Sequence, residues 1–206
     1  MKVFSSDKLI STSLTWLFVF LSACKGRDVK LFIDLRDDYE IYSIILKESE
    51  FHHTRSGKVR RYVIAEDTSD ARPAHCYPED VFFIKNKSMP SNLASASEDF
   101  KKKNNHSLKL IRAFNLNKEY ILGDDAAILR EFRIGDSIAW DQFYKAYPDT
   151  CGLIFFSRVG FNLQKDKAFV NEMIACGPDC GAVIFYKMSK NGELWCIDEI
   201  FVCGVS

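Results

Sequence analysis

The chain has 206 residues, of which 47% are hydrophobic and 14% aromatic; this suits one globular domain of ordinary size and excludes two large ones. Lys plus Arg (28) balances Asp plus Glu (28), so no net basic field exists to attract phosphate backbones, and nucleic acid is not an expected partner. The longest basic run, Lys101-Lys102-Lys103, reads as a solvated helix end or loop.

At the N-terminus, Lys2 and Lys8 precede an apolar, hydroxyl-dotted stretch from Leu9 to Ala23. This is short for a membrane span, which needs about 20 apolar residues, and suits the core of a secretory signal, which needs about 7–15. Asp7 departs from the usual positive bias of such a leader. Leu21-Ser22-Ala23-Cys24 resembles the lipobox of bacterial lipoproteins, in which the chain is cut before a lipid-modified cysteine. The resemblance implies a signal peptide over 1–23, lipidation at Cys24, a short polar tether over 24–30 and a domain over 31–206. The mature protein would carry a formal charge of minus one and sit in the bacterial cell envelope, on the periplasmic or surface side of a membrane. Acyl chains contribute about 0.8 kcal/mol per buried methylene, so two or more on one residue anchor stably.

Further along, Asp37 and Asp38 open a helix that runs to Leu46, with Ile41, Ile44 and Ile45 on one face. Ser56-Gly57 is a turn and Arg61 to Ala65 a short strand. Pro73, Pro78 and Pro90 surround the apolar run Val81 to Ile84, whose state periodicity does not decide; Ser91 to Ser97 is a helix or a mobile connection. Leu108 to Phe114 and Tyr120 to Leu122 read as strands, and Trp140 to Tyr147 as a helix stopped by Pro148. Four apolar segments follow, Leu153 to Phe161, Lys167 to Ala175, Ala182 to Met188 and Leu194 to Val202, with Cys176 to Gly181 and Asn191-Gly192 as reversals. The expected class is α+β: N-terminal helices packed on one face of a curved antiparallel sheet, ending in a four-stranded meander.

Trp140-x-x-Phe143-x-x-x-Tyr147-Pro148, then Gly152 with Ser157-Arg158-Val159-Gly160-Phe161-Asn162, Lys167-Ala168, Cys176-Gly177-x-x-Cys180-Gly181 and Trp195, resembles a family of uncharacterised bacterial lipoproteins. The likeness extends to Tyr39 to Ser43 and Val63 to Thr68. It implies an exported α+β domain and supplies no catalytic residue.

Candidate chemistry is sparse. Beyond Cys24 there are six cysteines, for which 15 pairings exist; a bond within Cys176-x-x-x-Cys180, or from either to Cys151, Cys196 or Cys203, is expected. A zinc site needs four ligands and no second paired motif is present, so no metal is expected. Redox-active pairs are usually C-x-x-C opening a helix, unlike this loop. His52, His53, His75 and His106 fall in loops or helix ends, and Ser157 lies outside any nucleophile elbow. Asp37-Asp38 opens a helix and Asp124-Asp125 follows Gly123 in a turn; adjacency in these pairs and in Asp198-Glu199 does not face carboxyls across a cleft. No phosphate loop or dinucleotide fingerprint is present, and no cofactor is expected. Trp140, Tyr144, Arg158 and Trp195 are candidates to line a ligand pocket between helix and sheet. The expectation is a noncatalytic module that binds an envelope protein or small ligand, or supports an assembly; the alternative is an exported hydrolase using carboxylates or a histidine.

Overall fold

A computed structural model describes residues 35–48, 53–54, 57–68, 76–84, 88–123 and 134–205. The leader, Cys24, the tether, Ser56, His52, His75, Asp124 and Asp125 lie outside the described residues. The chain divides into a unit Met1–Arg36 and a unit Asp37–Ser206, and the second carries all that follows.

The described elements are helices α1 (Arg36–Glu48), α2 (Pro78–Ile84), α3 (Ser91–Lys103) and α4 (Ser137–Ala146), and strands β1 (His53–Thr54), β2 (Gly57–Lys58), β3 (Arg61–Ile64), β4 (Glu119–Leu122), β5 (Leu153–Phe156), β6 (Gly160–Phe161), β7 (Lys167–Gly177), β8 (Cys180–Asn191) and β9 (Leu194–Val205). The protein is therefore mixed α+β. Seven strands form one open sheet in the order β4-β3-β5-β7-β8-β9, with β6 paired to β7.

The sheet is not wholly antiparallel as expected: β3 runs parallel to both β4 and β5. Parallel neighbours need long crossovers, and the connections that hold α2, α3 and α4 provide them. Hairpin signals in the C-terminal half report only antiparallel pairs, so this half of the topology leaves no such trace. Nor do the helices share one face. Side chains alternate along a strand; Leu153 and Phe155 pack with Val63, Trp140, Phe143 and Ala175 beneath α4, whereas Phe156 stacks on Tyr42 of α1 at 4.6 Å. The α4 face continues into a second cluster, where Leu93, Ala96 and Phe100 of α3 and Val81 of α2 meet Phe169 and Phe185.

Local chemistry explains most boundaries. Pro78 starts α2 because its missing N–H falls where a helix has no use for one, and Glu79 and Asp80 favour the same end. Helix α3 absorbs the lysine run, which suits the negative end of its dipole. Asp136 caps α4 by accepting from the Ile138 N–H at 2.9 Å. The β8–β9 loop is Gly192–Glu193, one residue beyond the expected Asn191-Gly192: Asn191 pairs with Leu194, and only Gly192 takes a positive φ, 64°.

Two expected strands are altered. Leu108 to Phe114 makes only a single bridge, Asp67 to Lys109. Its amides are satisfied elsewhere: Leu108 N donates to Thr68 Oγ1, Leu110 N to Glu66 O, and Ile111 N to Tyr39 Oη at 2.7 Å. Asn115 N, just beyond, donates to Ser43 Oγ. The Leu110–Glu66 bond belongs to the bridge, and the side chains of Thr68 and Tyr39 take the amides on either side of it in place of a neighbouring strand. The long strand Leu153 to Phe161 is interrupted at Ser157-Arg158-Val159, whose polar groups are held by side chains of α1 and of the α3 terminus.

Candidate functional site

The interruption in that strand is the centre of a buried polar cluster. Ser157 is buried, and its hydroxyl accepts from Asn171 N at 2.8 Å and donates to Arg158 O. Its carbonyl accepts from Tyr42 Oη at 2.9 Å. Asn104, the residue that ends α3, accepts from Arg158 N at 2.8 Å through Oδ1 and donates from Nδ2 to Arg158 O and Phe100 O. Gly160 then passes against α3 so closely that a Cβ would lie 2.4 Å from Phe100 backbone atoms; glycine is the side chain this approach permits. Phe161 N donates to Asp99 Oδ2, and Asn162 Oδ1 accepts from the amides of Asp166 and Lys167 to form the turn into β7. The Ser157 to Asn162 motif therefore has a structural role at each of these contacts: it docks β5 and β6 onto the end of α3.

Two carboxylates at the start of α1 border this cluster, in opposite circumstances. Asp37 Oδ1 accepts from Lys190 Nζ at 3.1 Å and Trp195 Nε1 at 3.2 Å. Burial acts to raise its pKa, but these two hydrogen bonds and the charges of Lys190 and Lys165 outweigh it and hold the carboxyl below its ordinary value. The Lys190 ammonium also lies 5.1 Å from the Trp195 ring centre, and that ring is 5.6 Å from Phe161, itself flanked by Lys103 at 4.7 Å. Asp38 is 4% exposed and its Oδ1 has no hydrogen-bond partner; Nε of Arg158 is likewise buried and unpaired. Burial pushes Asp38 up to about 7, against the opposing charges of Lys103 and Arg158. The Asp38 position was not legible as special, because an acid in a first helical turn reads as a dipole partner.

The other expected residues fall elsewhere. Trp140 and Tyr144 stack at 5.8 Å in the α4 cluster, Trp140 Nε1 donating to Ile134 O and Tyr144 Oη to Cys176 O. The four candidate ligand residues are thus divided between two networks: Trp140 with Tyr144 under α4, and Arg158 and Trp195 near the α1 carboxylates. Cys176 and Cys180 are bonded across the β7–β8 turn, and Cys76 is bonded to Cys203. Of the two free thiols in the described residues, Cys196 is exposed and Cys151 is buried, its pKa pushed up to about 12 by burial and by Glu172. His106 is exposed in the turn after α3, and Asp198 and Glu199 pair with lysines of the sheet, Glu199 with Lys187 at 3.0 Å.

Described cavities lie away from these carboxylates. One of about 270 Å³ sits at the disulfide turn, lined mainly by apolar groups such as Ile134, Ile174, Ala182 and Val205. A polar one of about 580 Å³ runs along the start of α3 beside Asn162, Gln164 and Asp166. No group of residues suited to hold a metal ion occurs among the described residues. No family model, curated protein or solved structure matches the chain.

Proposed function

We propose that the chain is a bacterial envelope lipoprotein of the family it resembles, cut before Cys24 and anchored by lipid there, whose domain over 31–206 is a noncatalytic binding or assembly-support module. The observation that carries this reading is the pair of disulfides, Cys76–Cys203 and Cys176–Cys180, which use four of the six cysteines beyond Cys24. Such bonds persist outside the reducing cytosol, in agreement with a leader and a lipobox. No described helix is long and apolar enough to cross a membrane; in this reading the membrane is reached through lipid on Cys24. The finer architecture, a curved sheet ending in a four-stranded meander, draws support from the successive antiparallel pairs β5–β7, β7–β8 and β8–β9 and from register shifts in the last two.

The noncatalytic reading is favoured over a hydrolase because the polar groups nearest a catalytic set are committed to the fold: Asp37 to Lys190 and Trp195, and Ser157 to Asn171 and Arg158. The test is the intact mass of protein from the native membrane fraction, denatured and alkylated without reduction. The expected product starts at a lipid-modified Cys24 and takes up two alkyl groups, on Cys151 and Cys196. A product retaining residues 1–23 with all seven cysteines alkylated overturns the reading.

A further inference from the structure

We propose that Asp38 is a proton-operated clasp: its neutral form holds the first turn of α1 against the Lys103 and Arg158 side of the domain, and its ionisation loosens that turn. An acid in a first helical turn normally meets solvent or cations, as Asp37 does. Asp38 instead turns inward, and its Oδ1 has no donor. The groups that face it are Lys103 from α3, Arg158 from the β5–β6 connection, and Asp37, Tyr39 and Tyr42 of its own helix. Lys103 is already committed, at 2.7 Å to Asp99 Oδ2 and 3.0 Å to Val159 O, and Arg158 Nε makes no bond. Burial disfavours a negative charge there and outweighs the charges of Lys103 and Arg158 and a hydrogen bond from its own backbone N–H, which act the other way; with no donor to Oδ1 the protonated carboxyl is favoured.

The linkage has a definite sign. Asp38 holds its proton up to about pH 7 when folded, against an ordinary value of 3.8. Between those limits the folded chain binds more protons than the unfolded one. The contribution is complete below the unfolded value and is lost as pH rises towards the folded one, by up to about tenfold in the folding constant per pH unit. Ionisation in the neutral range thus weakens the docking of α1.

The experiment uses the intact chain and compares it with Asp38→Asn, which keeps the shape and removes the charge. Unfolding is measured from pH 4 to 8, with amide exchange along α1 corrected for its intrinsic pH dependence. The wild type should lose stability between pH 5 and 7 relative to Asp38→Asn, at least about tenfold in the folding constant, with α1 amides exchanging faster at pH 8 only in the wild type. Equal pH dependence in the two proteins overturns the proposal. So does α1 protection that rises with pH, since Asp38 would then be pairing with Arg158. Should the variant not fold, a carboxyl carbon titration of wild-type Asp38 decides: a midpoint near neutrality supports the clasp, and one in the ordinary aspartate range overturns it.

Discussion

The two faces of the sheet are closed by different chemistry. Under α2 and α3 the contact is almost all carbon: Leu93, Ala96 and Phe100 pack on Phe169 and Phe185, with rings of the latter two 5.2 Å apart and Phe201 beside them. Under α1 the contact is aromatic but hydroxylated. Tyr42 stacks on Phe156, Tyr39 meets Phe114 edge-on at 5.2 Å, and the hydroxyls of Tyr39, Tyr42, Ser43 and Tyr62 each bond to backbone. The carbon face gains its free energy from area, at about 25 cal/mol per Å². The hydroxylated face spends its polar groups on fixing irregular chain, the Ile111 to Asn115 stretch and Ser157, so it specifies where loops lie, and it holds Asp38, whose buried Oδ1 has no donor.

That contrast can be broken most forcefully at the carbon face. Cys76–Cys203 closes a loop of 127 residues between the start of α2 and the edge strand β9. Replacing both by serine should lower stability by about 4 kcal/mol, chiefly by freeing the unfolded chain; denaturant midpoints with and without reductant check this, and the serine pair should not respond to reductant at this bond. Next comes Gly160→Ala, whose added Cβ collides with Phe100 backbone atoms and should cost about 3 kcal/mol by forcing β6 off α3. Where the two faces are stitched together, Asn104→Ala removes three hydrogen bonds to Phe100 and Arg158 and takes from the Arg158 N–H its acceptor. About 2 kcal/mol is expected, with faster amide exchange at Arg158 as the local signature.

The C-terminal strands and the buried side of α1 were the legible part of the molecule, whereas the run Val81 to Ile84 and the segment Ser91 to Ser97, which supply the helices of the carbon face, are left open by their pattern. Period-two patterning and Gly192 locate β7, β8 and β9 to within a few residues, and Ile41 and Ile45 mark the buried side of α1. What stayed hidden depended on partners distant in sequence. Pro78 begins α2, which its place beside the undecided run Val81 to Ile84 does not reveal, because a proline at a helix start and one in a loop look alike without the fold. Leu108 to Phe114 has a strand's composition, but Thr68, Glu66 and Tyr39 take its amides, and nothing local announces this. The partner of Cys76 could not be read from spacing, and neither could the inward turn of Asp38, which its neighbour Asp37 does not share.

The finest test of the comparison is Tyr42→Phe. The ring is fully buried and stacked on Phe156, so the substitution keeps the aromatic contact and the volume and deletes only the bond to Ser157 O. If the α1 face were held by area alone, the change would be close to neutral. Because the Ser157 carbonyl sits in a buried break of the strand, losing its donor should cost about 1 kcal/mol. The loss should be concentrated at Ser157 to Val159, seen as faster exchange there with β7 and β8 unchanged. The two faces would then differ in kind: truncation on the carbon face weakens the whole sheet, whereas a single hydroxyl on the other loosens one connection and leaves the strands in register.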